Sequence, residues 1–233
     1  MEAQIAVAKI AKYATAESGD SLEMTERPGG GLSFVLADGQ SSGKAAKAIA
    51  NVVTRKAISL LAEGVRDGAA ARAASDYLYT YRAGKVQATL NILSIDLVSR
   101  TLVISRNNPA PVLLIQNGTV VALEKPSDPV GARREVRPNI TEVSLEEGLA
   151  AVVYTDGLVH AGERVGRPMD ALERVRALLQ AGPPDPARWA EDLLAAAVAL
   201  DQDRPCDDIS ILVAAIQATQ QDDVRRLTVR MPL

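Results

Sequence analysis

Short apolar runs closed by polar turns alternate with stretches of helical spacing along this chain. Ile5 to Tyr13 alternates loosely and predicts a first strand. Leu22 to Arg27 and Leu32 to Ala37 predict a strand pair, joined through Pro28-Gly29-Gly30-Gly31, a strong hairpin turn. Beyond Gly43 the apolar residues Ala45, Ile49, Val52, Val53 and Ala57 recur at helical spacing. They predict a helix from Ser42 to about Glu63, stopped near Gly64. Asp67 to Tyr81 predicts a second, Ala-rich helix ended by Gly84. Val86 to Leu97 and Thr101 to Ser105 are β-prone around a turn at Val98-Ser99-Arg100, and Arg106 to Pro111 is a loop held by its prolines.

Val112 to Ile115 and Thr119 to Leu123 flank Asn117-Gly118, the strongest short hairpin signal. Lys125 to Asn139 reads as a polar loop or flap, and Ile140 to Val143 as an edge strand. Leu149 to Thr155 is a core strand. Pro168 to Leu179 and Asp185 to Leu200 are helices, the second with Asp185 as N-cap and Pro186 at the first helical position. Ile209 to Ile216 is a last core strand. Residues 1–216 thus form one domain, followed by a polar linker from Gln217. Val224 to Met231 reads as an extra strand that covers a sheet edge or pairs with a partner chain.

Strands, two helices, more strands, two helices and a strand make segregated blocks. Such blocks predict an α+β layered fold, a pair of sheets flanked by helix pairs, rather than alternating βαβ units.

Composition narrows the function. Of 233 residues, 47% are hydrophobic but only 3% aromatic, so the core is built from Ala, Leu, Val and Ile. A net charge of −3 with no basic block excludes nucleic acid as the main ligand, because phosphate backbones demand clustered Lys and Arg. Cys206 is the lone cysteine and has no internal disulfide partner. With no signal-like N-terminus and no apolar run of membrane-spanning length, the reading is cytoplasmic, with no membrane partner.

Asp20, Asp38, Asp156 and Asp207 each stand where a polar turn meets an apolar strand. Asp38 is followed by Gly39, whose carbonyl can be approached closely. Antiparallel pairing puts strand starts and strand ends on one side of a sheet, so these carboxylates can converge. Converged carboxylates repel one another unless cations neutralise them, and oxygen donors suit hard divalent ions such as Mg²⁺ or Mn²⁺. For any single Asp, a plain capping turn remains the alternative.

Four motifs carry a family resemblance. They are Ser18-Gly19-Asp20; Ala37-Asp38-Gly39 with Gly43; Tyr154-Thr155-Asp156-Gly157-Leu158; and Cys206-Asp207-Asp208-Ile209-Ser210-Ile211. In this order they resemble the metal-dependent protein phosphatase (PPM) family, in its bacterial sporulation-type branch. The resemblance implies a four-layer αββα sandwich with a centre of two Mn²⁺ or Mg²⁺ ions in the cleft between the sheets. By position it implies Asp38 as the ligand that bridges both ions and activates water. The Gly39 carbonyl and Asp20 would serve one ion, and Asp156 and Asp207 the other, with Asp207 preferred over Asp208. The implied reaction is hydrolysis of phosphoserine or phosphothreonine without a phosphoenzyme. The short length resembles the stand-alone, RsbX-like phosphatases of the stressosome, which implies a phosphorylated STAS-domain regulatory protein as partner.

Three features stand outside that pattern. The family's Asp-Gly-x-Gly-x-Gly carries Ser41 in place of its middle glycine, and Asn107 to Pro111 matches the branch's Gly-His-x-Pro only loosely. His160, the only histidine, is a general acid on one reading and a helix-surface residue on the other. Two other functions compete. Gly39 to Ala45 has a passing likeness to a phosphate-binding loop, but its glycines are too close and Ala45 occupies the place of the magnesium-binding hydroxyl. A phosphoprotein-binding module of the same fold with weak catalysis is the second.

Overall fold

The computed structural model describes residues 1–219 and 224–231. Among the described residues, ten strands form two antiparallel sheets. The first sheet contains β2 (Asp20–Glu26), β3 (Gly31–Gly39), β4 (Ala88–Asp96), β5 (Thr101–Asn107) and β8 (Asn139–Ser144), in that spatial order. The second runs β1 (Glu2–Ile10), β10 (Ile209–Gln217), β9 (Ala150–Tyr154), β6 (Val112–Gln116) and β7 (Thr119–Leu123). Helices α1 (Gly43–Ala62) and α2 (Asp67–Arg82) cover the first sheet. The short α3 (Gly157–His160), with α4 (Ala171–Ala181) and α5 (Pro186–Leu200), covers the second.

The four layers follow from the side-chain period of a strand, which sends successive residues to opposite faces. On β3, Val35 and Ala37 pack under α1, while Phe34 and Leu36 enter the gap between the sheets. On β4, Leu90 and Ile92 face the helices and Leu93 and Ile95 the gap. On β10, Ile209, Ile211, Val213 and Ala215 face α5, and Leu212, Ala214 and Ile216 the gap. A strand apolar on both faces must be covered on both. Three apolar clusters, one beneath each helix pair and one between the sheets, give the αββα sandwich expected from the order of elements.

Buried polar groups tie the layers together. Asp185 accepts from the Arg188 amide at 3.1 Å, as an N-cap should, with Pro186 following. Arg27 donates to Ser33 Oγ at 3.0 Å and lies 3.3 Å from Asp67 Oδ2, so the β2–β3 hairpin is pinned to the start of α2. The segment read as a loop or flap, Lys125 to Asn139, is anchored, and its last residue opens β8. Val130 is fully buried and bridges Ala88, while Ser127 Oγ donates to the Arg106 carbonyl at 2.6 Å.

Two expectations need correction. The first strand is Glu2–Ile10, not Ile5 to Tyr13, because its register is set by pairing with β10, from Glu2 opposite Gln217 to Ile10 opposite Ile209. Residues 224–231, read as a strand, are exposed and join neither sheet of the single chain. Their contact with the domain includes Arg225 donating to Glu26 at 2.9 Å. Part of the expected linker, 220–223, lies outside the described residues.

Candidate metal centre

Asp20 and Asp38 are register partners on β2 and β3, directly opposite each other. Both lie on the face that looks into the gap between the sheets, at the end where that gap stops being apolar. Asp20 opens β2 because Gly19 lets the chain pass close to α1, where a Cβ would come within 2.7 Å of the Ala46 Cβ. Gly39 is required more strictly, since a Cβ there would collide with the Ala46 carbonyl. Ser41 has φ +91° and Gly43 φ +61°. The serine therefore sits in a left-handed backbone that favours glycine, the residue type of the family pattern at this place.

The other carboxylates come from the opposite sheet. Asp156 follows β9 and precedes α3, and Asp207 precedes β10. Ligand atoms of Asp156, His160 and Asp207 lie within 4.8 Å of one another, a spacing that suits a cation. Their charges reach across the gap. Asp38 is pushed up to about 9, first by burial and then by the charges of Asp20, Asp156 and Asp207. Burial, followed by the nearby carboxylates Asp156 and Asp208, raises Asp207 as well, against a bond from the Asp208 amide and the charge of Lys12. Burial and like charge thus work against the charged forms of Asp38 and Asp207.

Asp20 is fully buried and braced from the opposite sheet. Thr155 Oγ1 and Ser210 Oγ both donate to its Oδ2, at 2.9 and 2.6 Å, while Oδ1 has no hydrogen-bond partner in the protein. Burial raises Asp20 to about 6, opposed by these hydroxyls and by Lys9. Lys9 and Lys47 both donate to the Asp20 carbonyl at 2.6 Å. Burial, followed by the charge of Lys47, lowers Lys9 to about 8.

Asp208 has a different task. Its Oδ1 accepts from the Lys12 amide at 2.9 Å and its Oδ2 from the Gly19 amide at 2.8 Å. It ties the loop that leads into β2 to the start of β10. Asp207, its sequence neighbour, is left beside Asp156.

The structure thus brings together the carboxylates of Asp20, Asp38, Asp156 and Asp207, with Gly39 beside them, and adds His160 from α3. Sequence reading missed the braces Thr155 and Ser210. The signal was present, because each has the strand parity of a gap-facing core residue, Val153 or Leu212, yet is polar. It also missed the two lysines, which lie far apart in the chain. The donor set fits hard divalent cations: carboxylates from both sheets, one of which, Asp20, keeps a buried oxygen without a hydrogen-bond partner.

Sequence comparison assigns the group. Residues 28–217 match the family described as stage II sporulation protein E (SpoIIE). The chain belongs to the SpoIIE family. No curated protein matches the sequence. Among solved structures, the chain resembles the PP2C phosphatase domain with a regulatory-domain fragment of SpoIIE from Bacillus subtilis. The TM-score is 0.80 at 19% identity, over 93% of this chain and 64% of that one. The chain therefore spans less than two thirds of that structure. RsbX in complex with magnesium matches with TM-score 0.68 at 15% identity, over 92% of this chain and 96% of that one. The catalytic domain of the serine/threonine phosphatase PstP with two manganese ions matches with TM-score 0.70 at 17% identity, over 93% and 99%. This SpoIIE-family chain accordingly has the PP2C fold. No helix among its described residues is long and apolar enough to cross a membrane.

Proposed function

We propose that this SpoIIE-family chain is a metal-dependent serine/threonine protein phosphatase. The observation that carries the reading is Asp38, half-buried and facing three further carboxylates from both sheets. A like-charged cluster of this kind is tolerable at neutral pH when cations occupy it. Asp38 would bridge two Mn²⁺ or Mg²⁺ ions, with Asp20 and the Gly39 carbonyl on one side and Asp156 and Asp207 on the other. His160 is placed to join the second group. RsbX with magnesium and PstP with manganese support the choice of ion. Bound divalent cations supply Lewis-acid activation of water and neutralise phosphoryl oxygens.

The protein's own part is to hold the donors. Thr155 and Ser210 fix the Asp20 carboxylate, Lys9 and Lys47 fix its carbonyl, and Asp208 fixes the chain on either side. The substrate is read as phosphoserine or phosphothreonine on a regulatory protein. The resemblance to RsbX-like phosphatases makes a STAS-domain protein of a stressosome or anti-sigma pathway the finer reading, in a cytoplasmic setting. The catalytic domain is read as residues 1–216, with Gln217 added because β10 runs to it.

Phosphate release from a phosphorylated STAS-domain protein and from a chromogenic phosphate ester tests this, with Mn²⁺, with Mg²⁺ and with EDTA. Release that needs either ion, stops reversibly in chelator and falls at least about 100-fold in Asp38→Asn supports the reading, since even outer-shell partners of a metal are worth 10–100-fold. Release that persists in EDTA, or is undiminished in Asp38→Asn, overturns it. Tight binding of the phosphoprotein without release would make the chain a binding module instead.

A further inference from the structure

Beta strand β4 carries an amide that the fold does not use. Asn91 interrupts an apolar run, with Leu90 before it and Ile92 and Leu93 after it, and is 2% exposed. Its Nδ2 and Oδ1 both lack a hydrogen-bond partner in the protein. A buried amide without partners costs about 1–3 kcal/mol for each unsatisfied group, so a leucine here would give a more stable domain. Sacrifices of this kind concentrate at functional sites.

The position of Asn91 shows where the amide points. It shares strand parity with Leu93 and Ile95, both in the inter-sheet cluster, so it faces the gap and not the helices. Asp38 faces the same gap. Its partner on β4 is Thr89, whose Oγ1 is also buried and without a partner, and Asn91 lies two residues further along. Asp38 and Asn91 are therefore diagonal neighbours on one face, about 7–8 Å apart between backbone positions. That separation suits two polar side chains joined by one water. Arg106 stands directly opposite Asn91 on β5 but turns its guanidinium to the carbonyls of Asn108, Ala110 and Lys125. Arg106 therefore does not partner the amide, which stays unpaired on the gap face.

We propose that Asn91 and Thr89 form a buried water site on the floor of the carboxylate cluster, and that Asn91 is a positioning residue. Through that water it orients Asp38 for the ions that the phosphatase reading places there, on which this inference rests. The amide can donate and accept at once, so it serves a water bonded to a carboxylate whichever way the water's hydrogens point. Aliphatic residues at this position would leave Asp38 to rotate against its like-charged neighbours.

The test is Mn²⁺ affinity by titration calorimetry, without substrate, on the whole chain and on Asn91→Leu and Asn91→Ser, with melting temperature measured on the same samples. Asn91→Leu should fold, as its melting curve will show, yet bind Mn²⁺ about tenfold more weakly, the range of other groups that orient a metal's ligands. Asn91→Ser retains a hydroxyl and room for water, and should recover most of the affinity. A crystal structure should show a water within hydrogen-bonding reach of both Asn91 and Asp38. Unchanged Mn²⁺ affinity in Asn91→Leu overturns the proposal, as does a dry amide in the crystal. Either result would leave the phosphatase reading intact if the unaltered chain binds Mn²⁺ and releases phosphate. If the unaltered chain does not bind Mn²⁺, that reading falls first, and this proposal with it.

Discussion

Ser210 donates its hydroxyl to Asp20 Oδ2 at 2.6 Å, across the gap between the two sheets. Thr155 reaches the same oxygen at 2.9 Å from the neighbouring strand end, and also accepts from the Ser210 amide at 3.0 Å. One carboxylate oxygen is thereby spent on holding the sandwich together, and the other has no hydrogen-bond partner in the protein, as the proposed cation site requires. Both hydroxyls belong to motifs better noticed for their aspartates.

Removing these braces should loosen the site before it loosens the fold. In Ser210→Ala with Thr155→Val, Asp20 loses the two bonds that hold its acidity against burial, so its ionisation moves above the present value of about 6. Hydrogen bonds to charged groups are worth about 1.5–3 kcal/mol each. Mn²⁺ affinity near pH 6.5 should drop at least tenfold, and the acid limb of the activity profile should move to higher pH. Calorimetry and a pH–rate profile check both.

The metal-free protein should be least stable in mild alkali. Asp38 and Asp20 have their ionisation raised on folding, to about 9 and about 6, so the folded state holds protons that the unfolded chain has released. That contribution is complete below the ordinary carboxylate range and is lost as pH rises through the folded values. In EDTA, the melting temperature should fall from pH 5 toward pH 9. Saturating Mn²⁺ should abolish or reverse the slope, because cations replace the protons. Melting curves across that range, with and without the ion, decide it.

Asp207 and Asp208 are adjacent and should respond oppositely. Asp208→Ala strips partners from the Lys12 and Gly19 amides, and should cost about 2–4 kcal/mol of stability by denaturant titration. Asp207→Asn should instead raise the stability of the metal-free protein, because it removes a half-buried charge set against Asp156 and Asp208, while weakening Mn²⁺ binding.

Ser41 provides a test of local strain. A serine at φ +91° bears roughly 1–2 kcal/mol that glycine avoids. Ser41→Gly should therefore gain up to about 1 kcal/mol in denaturant, with the entropy of the freer unfolded chain taking back the rest.

Much of this protein was determined by local pattern. Alternation in β3, β4 and β10, glycines at the hairpin and helix stops, and Asp185 followed by Pro186 each act within a few residues of themselves, so the αββα layering was readable before any contact was known. The aspartates at strand ends were readable for the same reason, since a polar residue that closes an apolar run stands out. Only the tertiary structure decided which groups meet. The bracing of Asp20 by Thr155 and Ser210, the lysines on its carbonyl, the capture of Asp208 by the Lys12 and Gly19 amides and the amide of Asn91 in the gap all join residues from separate strands, loops or helices. Such meetings depend on sheet register and on the packing of one sheet over the other, and neither is encoded in any single stretch. The same holds at the two ends of the chain, where pairing with β10 moved β1 toward the N-terminus and the β-like residues 224–231 found no sheet edge to join.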